Sequence, residues 1–323
     1  MGHEFCRKLA EVARRGVRVY LLYDDLGSVE PPEVSLDQVR MAGGYVASFR
    51  TALGLGKRFQ INFRNHRKIV VVDGTKAFVG GHNVGDQYLG RNDYFGRWRD
   101  THIWIEGPAV PCIQLSFLED WHWATQETLE LRWSPRAVAI PGQKVLVLPW
   151  GPADELNTGS LFFVHVIHQA RERLWIASPY FVPDDQVVAA LELAVIRGVD
   201  VRILVPQKPD HLLVYLSGFT YIEEMAPSGV KFYRYQPGFL HQKVMLVDDD
   251  VAAVGTANLD YRSLYINFEM TLLSVDRTFA TEVAEMLEQD FRDARQIGVE
   301  EFEARPIWFR VAARVARLLA PLQ

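Results

Sequence analysis

One signature occurs twice in this chain, and a duplication of that kind points to a fold of two similar units. His66-x-Lys68-x4-Asp73 is followed by Gly80-Gly81-His82-Asn83, and His241-x-Lys243-x4-Asp248 by Gly255-Thr256-Ala257-Asn258. In each copy the Asn stands seventeen positions after the His (83 − 66 and 258 − 241). Chance would place a single HxKx4D in a chain of this length on the order of a few per cent of the time. Two copies with the same Gly-x-x-Asn offset are a repeat. They imply two half-sites that meet around one negatively charged group.

The surroundings of the motifs repeat as well. Arg15-Gly16-Val17-Arg18-Val19-Tyr20-Leu21-Leu22 parallels Arg197-Gly198-Val199-Asp200-Val201-Arg202-Ile203-Leu204. Each reads as a helix stopped by Gly and followed by a buried strand. A further helix and strand are predicted at Leu36–Met41 and Tyr45–Phe49, and again at His211–Met225 and Val230–Tyr235. Each motif then opens a strand, Lys68–Val72 or Lys243–Val247, followed by a turn, Asp73-Gly74 or Asp248-Asp249-Asp250, and a strand ending at the glycines. Strands alternating with helices predict an α/β sandwich in each half.

A length of 323 residues suits about two domains of roughly 150 residues. The Pro- and Trp-containing stretch Trp133–Pro152 is the expected junction, dividing the chain into residues 1–135, 136–300 and a C-terminal segment, 301–323. The second half opens with an apolar strand, Leu174–Ser178, before its helix at Asp185–Arg197. The first half begins at Met1 already inside the equivalent helix, so its opening strand is expected upstream of residue 1, leaving one sheet edge open.

A net charge of −5 argues against a protein built to coat nucleic acid. Basic residues are instead concentrated next to the motifs. Arg50–Lys68 holds six Lys/Arg and Met225–Val247 holds three, and neither window contains an acid. Both are expected to focus positive potential on the site. Cys6 and Cys112 suggest neither a disulfide framework nor a metal motif. No stretch reaches the ~18 apolar residues of a spanning helix, so the chain reads as soluble or peripheral. At the C-terminus Trp308, Val311, Ala312, Val315, Leu318, Leu319 and Leu322 recur at helical spacing, with Arg310, Arg314 and Arg317 on another face. Such a helix suits either a bilayer interface or a place against the protein's own core.

Chemistry at a phosphodiester needs donors for the equatorial oxygens, a nucleophile, and an acid for the leaving oxygen. Lys68, Lys243, Asn83 and Asn258 can supply a four-donor cradle. One of His66 and His241 can attack phosphorus while the other protonates the leaving group. Asp100, in Trp98-Arg99-Asp100-Thr101-His102, and Glu269, in Asn267-Phe268-Glu269, stand at comparable places after the motifs and can each hold an imidazole Nδ1–H. Asp73 and Asp248 fall where Asp caps a turn through its own backbone, so they are expected to be structural. His82, His102, His122, His165, His168 and His211 lack a duplicated context. A Lys beside each His repels a cation, so no metal is expected; the Gly80-Gly81 and Gly255 runs are not dinucleotide fingerprints, and no other cofactor is expected.

At these residues the chain resembles the phospholipase D superfamily with two HKD motifs, and within it the bacterial cardiolipin synthases. The resemblance rests on Asn65-His66-Arg67-Lys68, Gly80-Gly81-x-Asn83-x-Gly85-Asp86-x-Tyr88 and Trp98-Arg99-Asp100-Thr101 in the first half. In the second half it rests on Pro179-Tyr180-Phe181-Val182-Pro183, Phe239-Leu240-His241-Gln242-Lys243, Gly255-Thr256-Ala257-Asn258-Leu259-Asp260-x-Arg262-Ser263 and Asn267-Phe268-Glu269. It implies two α/β/α halves about a pseudo-twofold axis with the active site between them. It further implies pairing of Glu269 with His66 and of Asp100 with His241, with His66 as nucleophile and His241 as acid and base.

The implied reaction is phosphatidyl transfer between two phosphatidylglycerol molecules through a phosphatidyl-histidine, giving cardiolipin and glycerol. Hydrolysis of a phospholipid, or of nucleic acid, is the alternative use of the same cradle. Implied partners are anionic phospholipid and the membrane surface, with this chain peripheral on the cytoplasmic side of a bacterial cell membrane. Gly81 departs from the Ser found at that place in many superfamily members.

Overall fold

A computed structural model describes residues 1–28, 33–49, 63–134 and 142–322. The first half opens with α1 (Gly2–Arg14), whose C-terminal turn ends at Gly16 with φ +87°. The chain continues through β1 (Tyr20–Asp24), α2 (Glu33–Met41) and β2 (Tyr45–Phe49). β1 and β2 are parallel, Tyr20 opposite Tyr45, under a small core of Cys6, Ala10, Val19, Leu36 and Val39. Next come β3 (Ile69–Val72), β4 (Lys76–Gly80), β5 (Arg97–Arg99), β6 (His102–Glu106) and α3 (Val110–Thr125). β3, β4 and β6 form an antiparallel sheet.

The second half starts with β7 (Lys144–Trp150), α4 (Thr158–Gln169), β8 (Arg173–Ala177), β9 (Phe181–Val182) and α5 (Asp185–Ile196). It continues with β10 (Asp200–Pro206), α6 (Leu212–Met225), β11 (Lys231–Tyr235), β12 (Gly238–Leu240) and β13 (Val244–Val247). β14 (Val251–Gly255), β15 (Leu259–Asp260), β16 (Glu269–Val275), α7 (Arg277–Arg292) and β17 (Ala294–Ile297) follow, then the short α8 (Val299–Glu303) and α9 (Ile307–Leu318). Eight strands make one sheet in the order β17-β11-β10-β8-β13-β14-β16-β7.

Side-chain alternation along the strands separates two cores. Leu174 and Ile176 of β8 face α4, α5 and α6, meeting Phe163, Val187 and Leu191. Trp175 and Ala177 of the same strand face α7, meeting Val283, Leu287 and Phe291. Fully burying one such side chain contributes about 1.5–3 kcal/mol, which is why the central strands carry almost uninterrupted apolar runs. The result is an α/β/α sandwich.

The strand that joins the two strand groups in the second half, β8, has no counterpart in the first half among the described residues. There the β1–β2 pair and the β3-β4-β6 sheet stand apart. The predicted junction at Trp133–Pro152 contains β7, which pairs with β16 from Lys144–Val275 to Trp150–Glu269. A third core, with Val79, Ile105 and Ile113 from the first half and Met270 and Leu272 from the second, closes the two halves on each other.

Candidate active site

The two halves exchange backbone hydrogen bonds at matching places. β5 runs parallel to β12, with Arg99 opposite Leu240, and Asn65 forms a parallel bridge with Phe268. The His241 amide therefore donates to the Arg99 carbonyl at 2.8 Å, and the His66 amide donates to the Phe268 carbonyl at 2.9 Å. Each motif histidine is thus clamped to the residue just before the carboxylate of the opposite half. This interchange is the local signature of a pseudo-twofold axis.

The side chains complete the crossing. His66 Nδ1 lies 2.9 and 3.0 Å from the two Glu269 carboxylate oxygens. His241 Nδ1 lies 2.8 Å from Asp100 Oδ2. Lys68 Nζ donates to its own His66 carbonyl at 2.7 Å, and Lys243 Nζ donates to the His241 carbonyl. Lys68 also feels Lys243, Asp100 and Glu269 electrostatically, so these six groups belong to one site.

The two half-sites are not equal. His66 keeps 25% of its side chain exposed and His241 only 8%. His241 is walled by Trp98, Tyr88 and Phe239, with ring centroids 5.1, 5.8 and 6.1 Å away. Asn258 is buried and donates to Asp260 Oδ2 at 3.3 Å. Asn83 is exposed, and its Oδ1 accepts from the Val84 amide at 2.9 Å. Glu269 also accepts from Thr256 Oγ1 at 2.5 Å and Asn267 Nδ2 at 3.1 Å, so it is fully satisfied while 0% exposed.

Gly81 now has a physical explanation. Thr256 occupies the equivalent place in the second half (81 − 66 and 256 − 241 are both fifteen) and binds Glu269 through its hydroxyl. A Cβ on Gly81 would lie 2.2 Å from Asp100 Oδ1 and 3.0 Å from the His241 carbonyl. The shorter carboxylate fills the volume that the hydroxyl residue takes in the other copy. Gly81→Ser should therefore push Asp100 off His241 and lower kcat roughly a hundredfold or more, the scale of losing one aligned catalytic hydrogen bond. Adding Asp100→Glu should recover part of that loss. Full kcat in the single variant would show that the close approach has no consequence.

Burial sets the electrostatics. It pushes the Lys68 ammonium down to about 7, with Lys243 repulsion adding to the effect, and pushes Lys243 down to about 8. It also pushes His66 down, and it drives His241 down to about 3 with help from Lys243. Burial acts to raise Glu269, but His66, Lys68 and Thr256 outweigh it and hold the carboxyl at about 2. At neutral pH each imidazole is then neutral beside an ionised carboxylate. Nδ1–H donates, and Nε2 keeps a free lone pair.

An empty site that holds its lysines low gains protons when an anion arrives. Binding of dimethyl phosphate, a monoanion at all these pH values, should weaken as pH rises through about 7–8. The limit is roughly tenfold per pH unit for each lysine that must be reprotonated. Isothermal titration at pH 6, 7, 8 and 9 reads this directly, and an affinity independent of pH would contradict it.

Several residues outside the sequence motifs hold the site. Arg67 donates to Asp120 at 2.7 Å, the Glu269 carbonyl at 3.0 Å and the Trp150 carbonyl at 3.1 Å. In the second half Gln242 takes the matching place between His and Lys and donates to Asp290 at 2.8 Å, while Arg99 forms a two-pronged ion pair with Asp290. The residue between His and Lys is thus tied in both copies to a buried Asp on the long helix that follows, α3 or α7. Removing one partner of a buried ion pair such as Arg67–Asp120 costs about 3–5 kcal/mol. Only the HxK position hinted at this, since nothing in the spacing marks Asp120 or Asp290.

Two expectations are corrected. Asp248, at φ +50°, does not cap its own turn; its carboxylate accepts from the amides of Arg171, Glu172 and Arg173, bracing the entry to β8. Asp73 has the same left-handed backbone, φ +54°, and an exposed side chain. Nor does the basic window of the second half focus on the site. Lys231 pairs with Asp200 and Arg234 with Glu301, leaving Lys243. In the first-half window residues 50–62 lie outside the described residues; Arg67 is paired with Asp120 and Lys68 reaches the site.

Comparison with known proteins agrees with this geometry. The family description "cardiolipin synthase, PLD-like domain" matches residues 2–99 and 163–291. Cardiolipin synthase A of Pseudomonas fluorescens is 52% identical over 322 residues, covering 100% of this chain and 67% of that protein. Cardiolipin synthase A of Pseudomonas entomophila is 49% identical with the same coverage. The fold also matches the crystal structure of a Haemophilus influenzae phosphatidylserine synthase, with TM-score 0.68 at 16% identity over 100% of this chain and 94% of that one. The chain belongs to the cardiolipin synthase family of proteins with phospholipase D-like domains.

Proposed function

We propose that this chain is a phosphatidyltransferase that forms cardiolipin from two phosphatidylglycerol molecules. The observation that carries the reading is the crossed pairing of His66 with Glu269 and His241 with Asp100 around two lysines. Neutral His66, with Nδ1–H donated to Glu269, attacks phosphorus through Nε2. The role order follows the family resemblance, and the greater exposure of His66 supports it. The bound phosphodiester and Asp100 favour the protonated form of His241, which gives its proton to the departing glycerol oxygen.

In the second step His241 takes the proton from a glycerol hydroxyl of another phosphatidylglycerol. The resulting alkoxide attacks phosphorus, the His66–phosphorus bond breaks, and cardiolipin leaves. Lys68, Lys243 and the Asn258 amide stabilise the charge that grows on the equatorial oxygens. Asn83 approaches from the rim beside Tyr88. The family resemblance supports placement on the cytoplasmic side of a bacterial membrane. Among the described residues no helix is long and apolar enough to cross one.

The deciding experiment incubates the chain with phosphatidylglycerol dispersed in detergent and separates the lipids. The reading requires cardiolipin and glycerol in equal amounts. Phosphatidic acid without cardiolipin would make the chain a hydrolase instead.

A further inference from the structure

α9 has three lengthwise faces. Ala313 and Ala316 are buried, and Phe309 packs edge-on to Phe219 of α6 at 5.1 Å. Arg314 pairs with Glu223 at 3.0 Å and Arg317 with Glu224, so a row of Arg310, Arg314 and Arg317 flanks this contact. The third face holds Ile307, Trp308, Val311, Val315 and Leu318, which are 72, 68, 55, 54 and 80% exposed. At the helical rotation per residue these five fall within an arc of about 100°. A helix that exists to cover its own core turns its large apolar residues inward. Here Phe309 is the one large residue turned to α6 beside the small Ala313 and Ala316, and the other five large apolar residues face out.

The charge around the stripe says what covers it. Residues 304–323 contain four Arg and no acid, in a chain whose net charge is −5. The arginine row borders one long edge of the apolar stripe. A surface that is apolar beneath and anionic at the level of the guanidinium groups matches both. A second copy of this chain does not, because antiparallel twofold pairing of the stripes would set one arginine row against the other.

The position also fits. α6, on which α9 lies, starts two residues after Asp210, whose carboxylate accepts from the Tyr180 hydroxyl and lies within electrostatic reach of Lys243.

We propose that α9 is a bilayer-docking element. Its outward stripe enters an anionic phospholipid surface to the acyl boundary, and its arginine row lies among the phosphates. Phosphates replace Glu223 at Arg314, which is 64% exposed, at little cost, since such ion pairs contribute only about 0–1 kcal/mol, while Arg317, lying over the Tyr221 ring, keeps Glu224. The proposal rests on the lipid-substrate reading above and adds where the enzyme meets its lipid.

The test is flotation of the full chain with liposomes of phosphatidylcholine containing phosphatidylglycerol, and with phosphatidylcholine alone. Wild type should float with the anionic liposomes and lose binding as salt rises. Val311→Ser with Leu318→Ser should weaken binding about tenfold or more, since two exposed apolar side chains no longer enter the bilayer. Arg310→Gln should weaken it by a smaller factor that vanishes in high salt. Brominated acyl chains should quench tryptophan fluorescence, and Trp308→Phe should remove part of that quenching.

Turnover of detergent-dispersed phosphatidylglycerol should be unchanged in all these variants. Loss of turnover in wild type would overturn the functional reading and leave the flotation result standing. Undiminished flotation of the double Ser variant would overturn the docking proposal. So would a dimer, seen by sedimentation, that the double variant abolishes while liposome binding persists.

Discussion

His66→Ala is expected to abolish turnover, a loss on the order of 10⁴-fold or more, because the proposed covalent route opens on this side chain. His241→Ala should be equally inactive on phosphatidylglycerol, yet the two variants should part on an activated substrate. A p-nitrophenyl phosphodiester needs no acid for its leaving group. His241→Ala should therefore release about one equivalent of p-nitrophenol and stall, since nothing remains to deprotonate the acceptor. His66→Ala should release none. The opposite assignment of burst and silence would reverse the roles of the two imidazoles. Both variants leave a buried carboxylate, Glu269 or Asp100, without its imidazole partner, so each should melt below wild type, and activity is read well below those melting temperatures.

Glu269→Gln is the second large effect. The carboxylate is 0% exposed and accepts from His66, Thr256 and Asn267. An amide of the same shape carries an NH₂ where one of those donors needs an acceptor. Turned toward His66, that NH₂ makes Nδ1 an acceptor and moves the ring proton to Nε2, which then cannot attack. A loss of about 10³–10⁴ in kcat is expected, the scale seen when the carboxylate of a Ser-His-Asp triad is neutralised.

The pH dependence of stability has a defined sign. Glu269 is held at about 2, below the ordinary glutamate value of 4.5, so its stabilising contribution is present above about 4.5 and disappears as pH falls toward 2. Thermal melts from pH 5 down to pH 2 should show that component in wild type and lack it in Glu269→Gln. A Gln variant with wild-type kcat would remove Glu269 from the mechanism.

Much of the site was legible because the chain states it twice. The equal His-to-Asn offsets and the matching places of Asp100 and Glu269 mark in the sequence every side chain of the crossed dyads. The helix stops at Gly16 and Gly198 were likewise readable, since both residues take positive φ where other side chains are strained. What hid was anything held by a partner distant in sequence without a counterpart pattern. Asp120 and Asp290 look like ordinary helical acids until α3 and α7 bring them under Arg67 and Gln242.

Asp248 looked like a local turn cap because spacing cannot show that its carboxylate reaches the amides before β8. The C-terminal helix was recognised as amphipathic, but periodicity alone does not say which of two apolar arcs docks. The small Ala313–Ala316 face does, because close approach to α6 favours small residues.

In the proposed mechanism two imidazoles from opposite halves share one phosphorus, and one of them is bonded to it midway. Peptide mass spectrometry of enzyme quenched in acid-free denaturant during turnover tests this most directly. The expected result is a phosphatidyl group on the peptide carrying His66 that disappears when acceptor lipid is chased in. Continued synthesis of cardiolipin with no phosphatidyl-histidine at any stage would contradict it.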